Sequence, residues 1–237
     1  MALVILSERE ERKAPGHLEG ERRTTVALSL LLFTVLALPE TPAGAAPALY
    51  LPWTAGQRMY VLQGQNQGSH LSPTSKYAYD FSLGPFDSTS WVVRAAGPGR
   101  VAELREDHPA SPDCDGTFAG RDNHIVIDHG DGTGAVYRHL ARDSVLPAVG
   151  TPVARGDPLG LTGHSGLVCG TNHLHFTTVD LRTRVFLDVP FSDLDTGRDG
   201  GRPQTDRYYV SANTAGMATG SYRILLPYTS KRSGLRR

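Results

Sequence analysis

Apolar and polar residues alternate over short stretches of this chain, with turns rich in glycine and proline between them. Tyr77-Ala78-Tyr79-Asp80-Phe81 places its aromatics on one face and Ala78 with Asp80 on the other, the period of a half-buried strand. Met59-Tyr60-Val61-Leu62 reads as an entry strand following Leu51-Pro52-Trp53. Trp91-Val92-Val93 and Arg100-Val101-Ala102-Glu103-Leu104 flank the turn Ala96-Gly97-Pro98-Gly99. His124-Ile125-Val126-Ile127-Asp128 and Ala135-Val136-Tyr137-Arg138-His139-Leu140 form a hairpin across His129-Gly130-Asp131-Gly132, because Asp-Gly accepts positive φ. Further short strands are expected at Pro152-Val153, Pro158-Leu159-Gly160, His173 to Val179 and around Tyr208-Tyr209-Val210. Beyond an N-terminal apolar run, no stretch sustains a helical period. The pattern predicts an all-β fold, a compact barrel or sandwich of antiparallel strands.

Composition agrees: 26 Gly and 16 Pro in 237 residues favour short strands and turns over long helices. The length suits one large or two small domains. A formal net charge of zero gives no electrostatic case for nucleic-acid binding, and none is expected. The basic tail Lys231 to Arg237 reads as a solvated end.

The N-terminus has the order of a secretory signal over 1–45. Arg22-Arg23 precede the apolar run Thr24 to Leu38, and Ala43-Gly44-Ala45 supplies small residues for cleavage. The run is about 15 residues, short of the roughly 20 that span a bilayer, so membrane attachment is expected only if this segment is retained. The charged stretch Ser7 to Arg23 is long for a signal's flank, so the true start is expected downstream of Met1. A secreted, extracytoplasmic protein meets an oxidising compartment. Cys114, in the loop Pro109 to Gly120, and Cys169, in the loop Gly163 to Gly170, are therefore expected to pair.

Chemistry concentrates in His173-Leu174-His175-Phe176, where a strand would project both imidazoles the same way, roughly 7 Å apart. Of the nine histidines, His17 lies in the signal segment, His108 and His129 sit in turns, His124 opens a strand, and His164 is on a glycine-rich turn. His70, His139, His173 and His175 remain, with Asp80. A catalytic zinc takes three protein ligands and keeps a position for water, whose pKa it lowers. Hydrolysis also needs a proton acceptor and donors for an oxyanion.

One ordered series carries a resemblance. It runs from Gly130-Asp131-Gly132 through Tyr137-Arg138-His139-Leu140 and Val149 to Gly160, then Gly163-His164-Ser165-Gly166 and His173-Leu174-His175-Phe176. The series, within roughly Gly68 to Val179, resembles the lysostaphin/LytM-type zinc endopeptidases that cut peptidoglycan peptides. The resemblance implies a duplicated-hybrid-motif, barrel-sandwich-hybrid-like fold and a Zn2+ cofactor. It makes His175 and Asp80 zinc ligands, and His139 and His173 the pair flanking the metal water and the oxyanion. One ligand departs from the family pattern. His-x3-Asp spacing falls on Lys76, and the nearest upstream histidine is His70, so the expected ligand set is His70, Asp80 and His175, with Leu71 to Lys76 looped out.

The expected organisation is an entry segment over 46–67, a LytM-type domain over 68–190 and an extension over 191–237 packing on it. The expected function is a secreted zinc metalloendopeptidase, acting as a monomer on cross-bridge or stem peptides of peptidoglycan. The alternative is a degenerate member that binds cell wall or regulates another hydrolase, with Lys76 its best support. A lipoyl-type carrier would need a lysine in Gly163 to Gly166, which has none. Tyr79 and Phe81 are expected in the core. Tyr137, expected to share a face with His139, is assigned to packing; Asp122 and Asn123 receive no chemistry.

Overall fold

The structure is a computed structural model and describes residues 47–215. The expected signal over 1–45, the basic tail and the rest of the chain beyond 215 lie outside the described residues.

The described residues form eleven strands: β1 (Arg58–Gln63), β2 (Tyr79–Ser82), β3 (Val92–Arg94), β4 (Gly99–Arg105), β5 (His124–Asp128), β6 (Thr133–Arg138), β7 (Pro152–Val153), β8 (Pro158–Leu161), β9 (Leu174–Asp180), β10 (Phe186–Leu187) and β11 (Tyr208–Val210). Only two 3-10 turns, Gly116–Phe118 and Leu194–Asp199, interrupt them. Every strand pair is antiparallel. The fold is all-β.

The large sheet runs β11-β1-β2-β9-β6-β5-β4-β7, with β10 also on β9, and β3 pairs β8 apart from it. One face of the large sheet closes on an aromatic core. Tyr79 and Phe81 stack at 5.5 Å, Trp53 meets Phe81 edge-on at 5.0 Å, and Tyr137 meets Phe176 at 5.2 Å. Val93 of β3 and Leu159 of β8 join the same cluster. Each such fully buried side chain contributes roughly 1.5–3 kcal/mol.

Most strands fall where alternation predicts them. The β5–β6 hairpin closes through Asp128, whose carboxylate accepts from Gly130 N, and Asp131, which accepts from Thr133 N. Gly130 (φ 80°) and Gly132 (φ 91°) occupy the left-handed region that glycine enters without strain. Several boundaries shift by a residue or two from the expected ones, and two of these shifts bear on the site. Tyr77 and Ala78 belong to the preceding turn, where Ala78 N donates to Ser75 O. β6 stops at Arg138 because His139 turns left-handed, with φ 63°.

The segment before β1 is part of the core: Leu49, Leu51 and Trp53 lie in the main cluster. Asp193 ties it to the chain's later part, accepting from Leu51 N (2.7 Å) and from Ala212 N. Asn213 donates to Leu51 O, and β11 pairs with β1. These long-range bonds join segments that alternation alone reads as separate pieces.

Cys114 and Cys169, 55 residues apart, are disulfide-bonded. The bridge fastens the loop before β5 to the loop before β9, alongside Ser111 N to His164 O (2.7 Å) and Cys114 N to Val168 O (2.8 Å). Closing a loop of this length stabilises by about 2–4 kcal/mol. Cys114→Ser is expected to lower unfolding stability by that amount in denaturant titration; an unchanged midpoint would contradict it.

Candidate metal centre

The register of the large sheet sets the site. Asp80 of β2 faces His175 of β9, His175 faces Arg138 of β6, and Arg138 faces His124 of β5. Register partners share a face of the sheet. Tyr79, Phe81, Tyr137, Leu174 and Phe176 alternate with this row and fill the opposite, core face. A row of polar residues thus crosses four strands directly above an aromatic floor.

Three further histidines join the row by different routes. His173 lies two residues before His175, so strand alternation turns it the same way. His70 comes from the loop between β1 and β2, which folds back through Asn66 N to Lys76 O (2.9 Å) and His70 N to Gln67 O (2.7 Å). Leu71 to Lys76 is a turned excursion, and Lys76 stacks its ammonium 4.7 Å from the Tyr77 ring.

His139 arrives by a break in the strand. Regular alternation would put it with Tyr137, but Tyr137 is fully buried and its hydroxyl accepts from Ala96 N (2.8 Å). The expected shared face of Tyr137 and His139 is therefore corrected. The left-handed backbone at His139 turns its ring toward the site, 4.9 Å from His173 and 5.7 Å from His175 between ring centres. A non-glycine residue held there carries strain that its surroundings must offset.

The surroundings are Asn123 and Ser165, neither of which sequence reasoning assigned to the site. The amide of fully buried Asn123 donates to Leu140 O (3.2 Å) and His108 O (2.8 Å), and its oxygen accepts from His108 N (2.9 Å). Ser165 Oγ donates to Leu140 O and accepts from Asn123 N. Its carbonyl lies 2.8 Å from His139 Nδ1. The Gly163 to Gly166 turn thus serves the site through Ser165, while His164 faces Asn172 Oδ1 at 3.0 Å.

Backbone carbonyls fix three of the rings. Nδ1 of His70 lies 3.0 Å from Gly64 O, Nδ1 of His139 faces Ser165 O, and Nδ1 of His173 lies 2.9 Å from Thr171 O. A carbonyl only accepts, so each Nδ1 carries the hydrogen and the neutral ring keeps its lone pair on Nε2.

His70, Asp80 and His175 each offer a ligand atom within 4.8 Å of the others. His70 Nε2 lies 3.3 Å from one oxygen of Asp80, and His175 Nδ1 lies 3.0 Å from the other. Tetrahedral zinc, with bonds of about 2.0–2.1 Å, spaces its ligands roughly 3.3 Å apart. The His70 contact is chemically telling. Its Nε2 is buried and has no hydrogen-bond partner among the described residues. As a lone pair facing a carboxylate it would repel, and a positive charge between the two, a proton or a metal ion, resolves the conflict. The donor set fits a divalent metal.

Charge follows the same geometry. Burial alone would raise the Asp80 carboxyl, but His173, His175 and His70 outweigh it and hold it well below the usual carboxylate range. Burial alone would lower His70; the Asp80 carboxylate outweighs that and raises it. Burial, followed by the His173 and His175 rings, pushes His139 down to about 3.

That last shift has a pH signature in zinc-free protein. Below an ordinary pKa near 6.5, the unfolded chain protonates His139, while the folded chain does so only near 3. The unfolded state then binds more protons, so stability falls as pH drops through this window. His139→Gln is expected to lose about 1–2 kcal/mol less than the parent between pH 7 and pH 5. Equal losses in paired melting curves would contradict this.

Two depressions flank the centre. One, of about 620 Å³, is lined by His70, His139, His173 and His175 with Phe86 and Leu167 on its rim. The other, of about 580 Å³, is lined by Arg138, Asp122, His139 and His175. They share His139, Leu167 and His175 in their linings.

Residues 82–185 match the family model described as Peptidase family M23. Over that stretch the chain is similar to M23 peptidases. The M23 match includes His139, His173 and His175 and begins just beyond Asp80, so the irregular His70 to Asp80 segment precedes it. The chain is 30% identical over 131 residues to the peptidoglycan DD-endopeptidase ShyA of Vibrio cholerae. That alignment covers 53% of this chain and 27% of the relative, so the chain spans about a quarter of the length of the curated relative it matches. Solved structures similar to it include a zinc-containing peptidase from Vibrio cholerae (22% identity, TM-score 0.40, covering 60% of this chain and 40% of that one). Another is the M23 metalloprotease pseudoalterin from the deep sea (20% identity, TM-score 0.44, covering 69% and 98%).

Proposed function

We propose that this chain is a secreted, monomeric, zinc-dependent endopeptidase that hydrolyses peptide bonds of bacterial peptidoglycan. His70 Nε2, Asp80 and His175 Nδ1 hold the metal. The observation that carries the reading is the facing pair of acceptors, a buried lone pair on His70 and the Asp80 carboxylate, within one donor set with His175. The similarity to a peptidoglycan endopeptidase supports the substrate class. The paired cysteines suit an oxidising, extracytoplasmic compartment. Among the described residues, no helix is long and apolar enough to cross a membrane.

Zinc, when bound, supplies Lewis acidity, acidifying a water and polarising the scissile carbonyl. The chain supplies proton handling. Both His139 and His173 point a lone-pair Nε2 inward, because their Nδ1 hydrogens are committed to Ser165 O and Thr171 O. Either Nε2 therefore accepts the water's proton first and becomes a donor afterwards. As a donor it stabilises the oxyanion and returns the proton to the leaving amine. Burial favours neutral His139 before the step and makes it a ready acid after it.

Incubating the zinc-loaded, full-length chain with peptidoglycan and identifying new amino termini tests the reading. Expected are defined peptide cleavages that a chelator stops and added zinc restores. A folded protein carrying stoichiometric zinc that releases no new amino termini would overturn it.

A further inference from the structure

Arg138 stands in the polar row beside His175, and neither metal binding nor proton handling accounts for it. It is the register partner of His175. Adjacent strands lie about 4.8 Å apart, so its backbone sits one strand away from the ligand's. Its side chain is 36% exposed, and Nη1 lies 3.2 Å from both oxygens of the buried Asp122 carboxylate. His124 Nδ1 approaches the same carboxylate at 3.1 Å. Asp122 is thus fixed from two sides and in turn pins the guanidinium.

A guanidinium presents five N–H donors in a rigid fork suited to carboxylates. Its Nε and Nη2 make no hydrogen bond among the described residues, and Arg138 lines the same depression as His139 and His175. A pinned arginine loses little conformational freedom when it captures an anion. Consecutive residues of a peptide lie 3.8 Å apart. A carboxylate on a residue flanking the scissile bond therefore falls within reach of this fork.

We propose that Arg138 is a specificity-determining residue that receives a carboxylate borne by the substrate beside the scissile bond. The preferred substrate is then an acidic stem-type peptide, in contrast to a neutral polyglycine bridge. This assignment rests on the peptidase reading for its substrate, but it makes a separate binding claim. Asp122 acts through Arg138 as a positioning residue.

Two matched peptides test it, identical except that one carries a free carboxylate and the other a carboxamide at the flanking residue. Binding to the full-length chain is measured by calorimetry, with and without zinc, and cleavage is measured in parallel. Charge-assisted hydrogen bonds predict that the parent prefers the carboxylate peptide by about tenfold or more in Kd, even without zinc. Arg138→Gln is expected to erase that preference while leaving affinity for the carboxamide peptide within about threefold. Arg138→Lys is expected to restore part of it, since the charge returns without the fork. Equal binding of both peptides by the parent would overturn the proposal. So would a carboxylate preference that appears only with zinc and survives in Arg138→Gln, because the metal would then be the receptor. Failure to cleave either peptide, with discrimination in binding intact, refutes the peptidase reading and leaves the subsite standing.

Discussion

Replacing His175 with alanine is expected to abolish stoichiometric zinc binding and to lower peptide cleavage by at least about 10³-fold. His175 sits among Asp80, His70 and His139. Its Nδ1 meets Asp80, and its ring lies 5.0 Å from His70 and 5.7 Å from His139. Without it, His70 and Asp80 offer two donors, below the three a catalytic zinc takes. The rate effect follows from the water: bulk water has a pKa of about 15.7 and zinc-bound water about 7. Losing that acidification removes almost all hydroxide equivalents available at neutral pH. Metal analysis and cleavage on the same sample check both halves. Retained zinc with retained activity would remove His175 from the ligand set.

Replacing His139 or His173 with alanine is expected to act on a different quantity. Neither belongs to the three-residue donor set, although His173 Nε2 approaches Asp80 at 3.7 Å. Zinc content should stay near one per chain while kcat falls by about 10²–10⁴, the range for losing a positioned acid–base group. The double variant should lose less than the product of the two single losses, because two groups serving one proton transfer act as a unit. Steady-state kinetics with zinc analysis reads all three quantities. Zinc lost in step with kcat would make the residue a ligand, and an unchanged kcat would remove it from the chemistry.

The two variants differ because of a backbone detail that alternation does not encode. The His173-x-His175 pair was legible, since period two puts both rings on one face whenever that strand forms. Tyr79 and Phe81 were legible for the same reason, with Asp80 left on the opposite face. The Asp131-Gly132 turn signalled its hairpin through the left-handed conformations it permits. His139 was legible only through resemblance; by alternation it belongs beside buried Tyr137. Its place at the site depends on a left-handed residue braced by Asn123 and Ser165, and those contacts come from 16 and 26 residues away. No local pattern reports such a brace. Asn123 stands at the mouth of an apolar strand, where a polar residue reads as a loop end.

The same limit applies to His70 and to the chain's ends. His70 reaches Asp80 because a loop folds back on itself through Asn66 and Lys76, a closure invisible to a spacing rule. The segment before β1 reads as a lead-in, yet Trp53 is fully buried and Leu51 is bonded from Asp193 and Asn213 far along the chain. Residues with strong local preferences were readable; residues placed by distant partners were not.

His70 stands in for the histidine that regular spacing would put at Lys76. Zinc content of the purified full-length chain and of His70→Ala, measured side by side, tests it most directly. Expected are about one zinc per chain in the parent and loss of tight zinc in a folded His70→Ala, with cleavage lost alongside. A parent that folds without binding zinc, or a His70→Ala variant that keeps full zinc and activity, would contradict it.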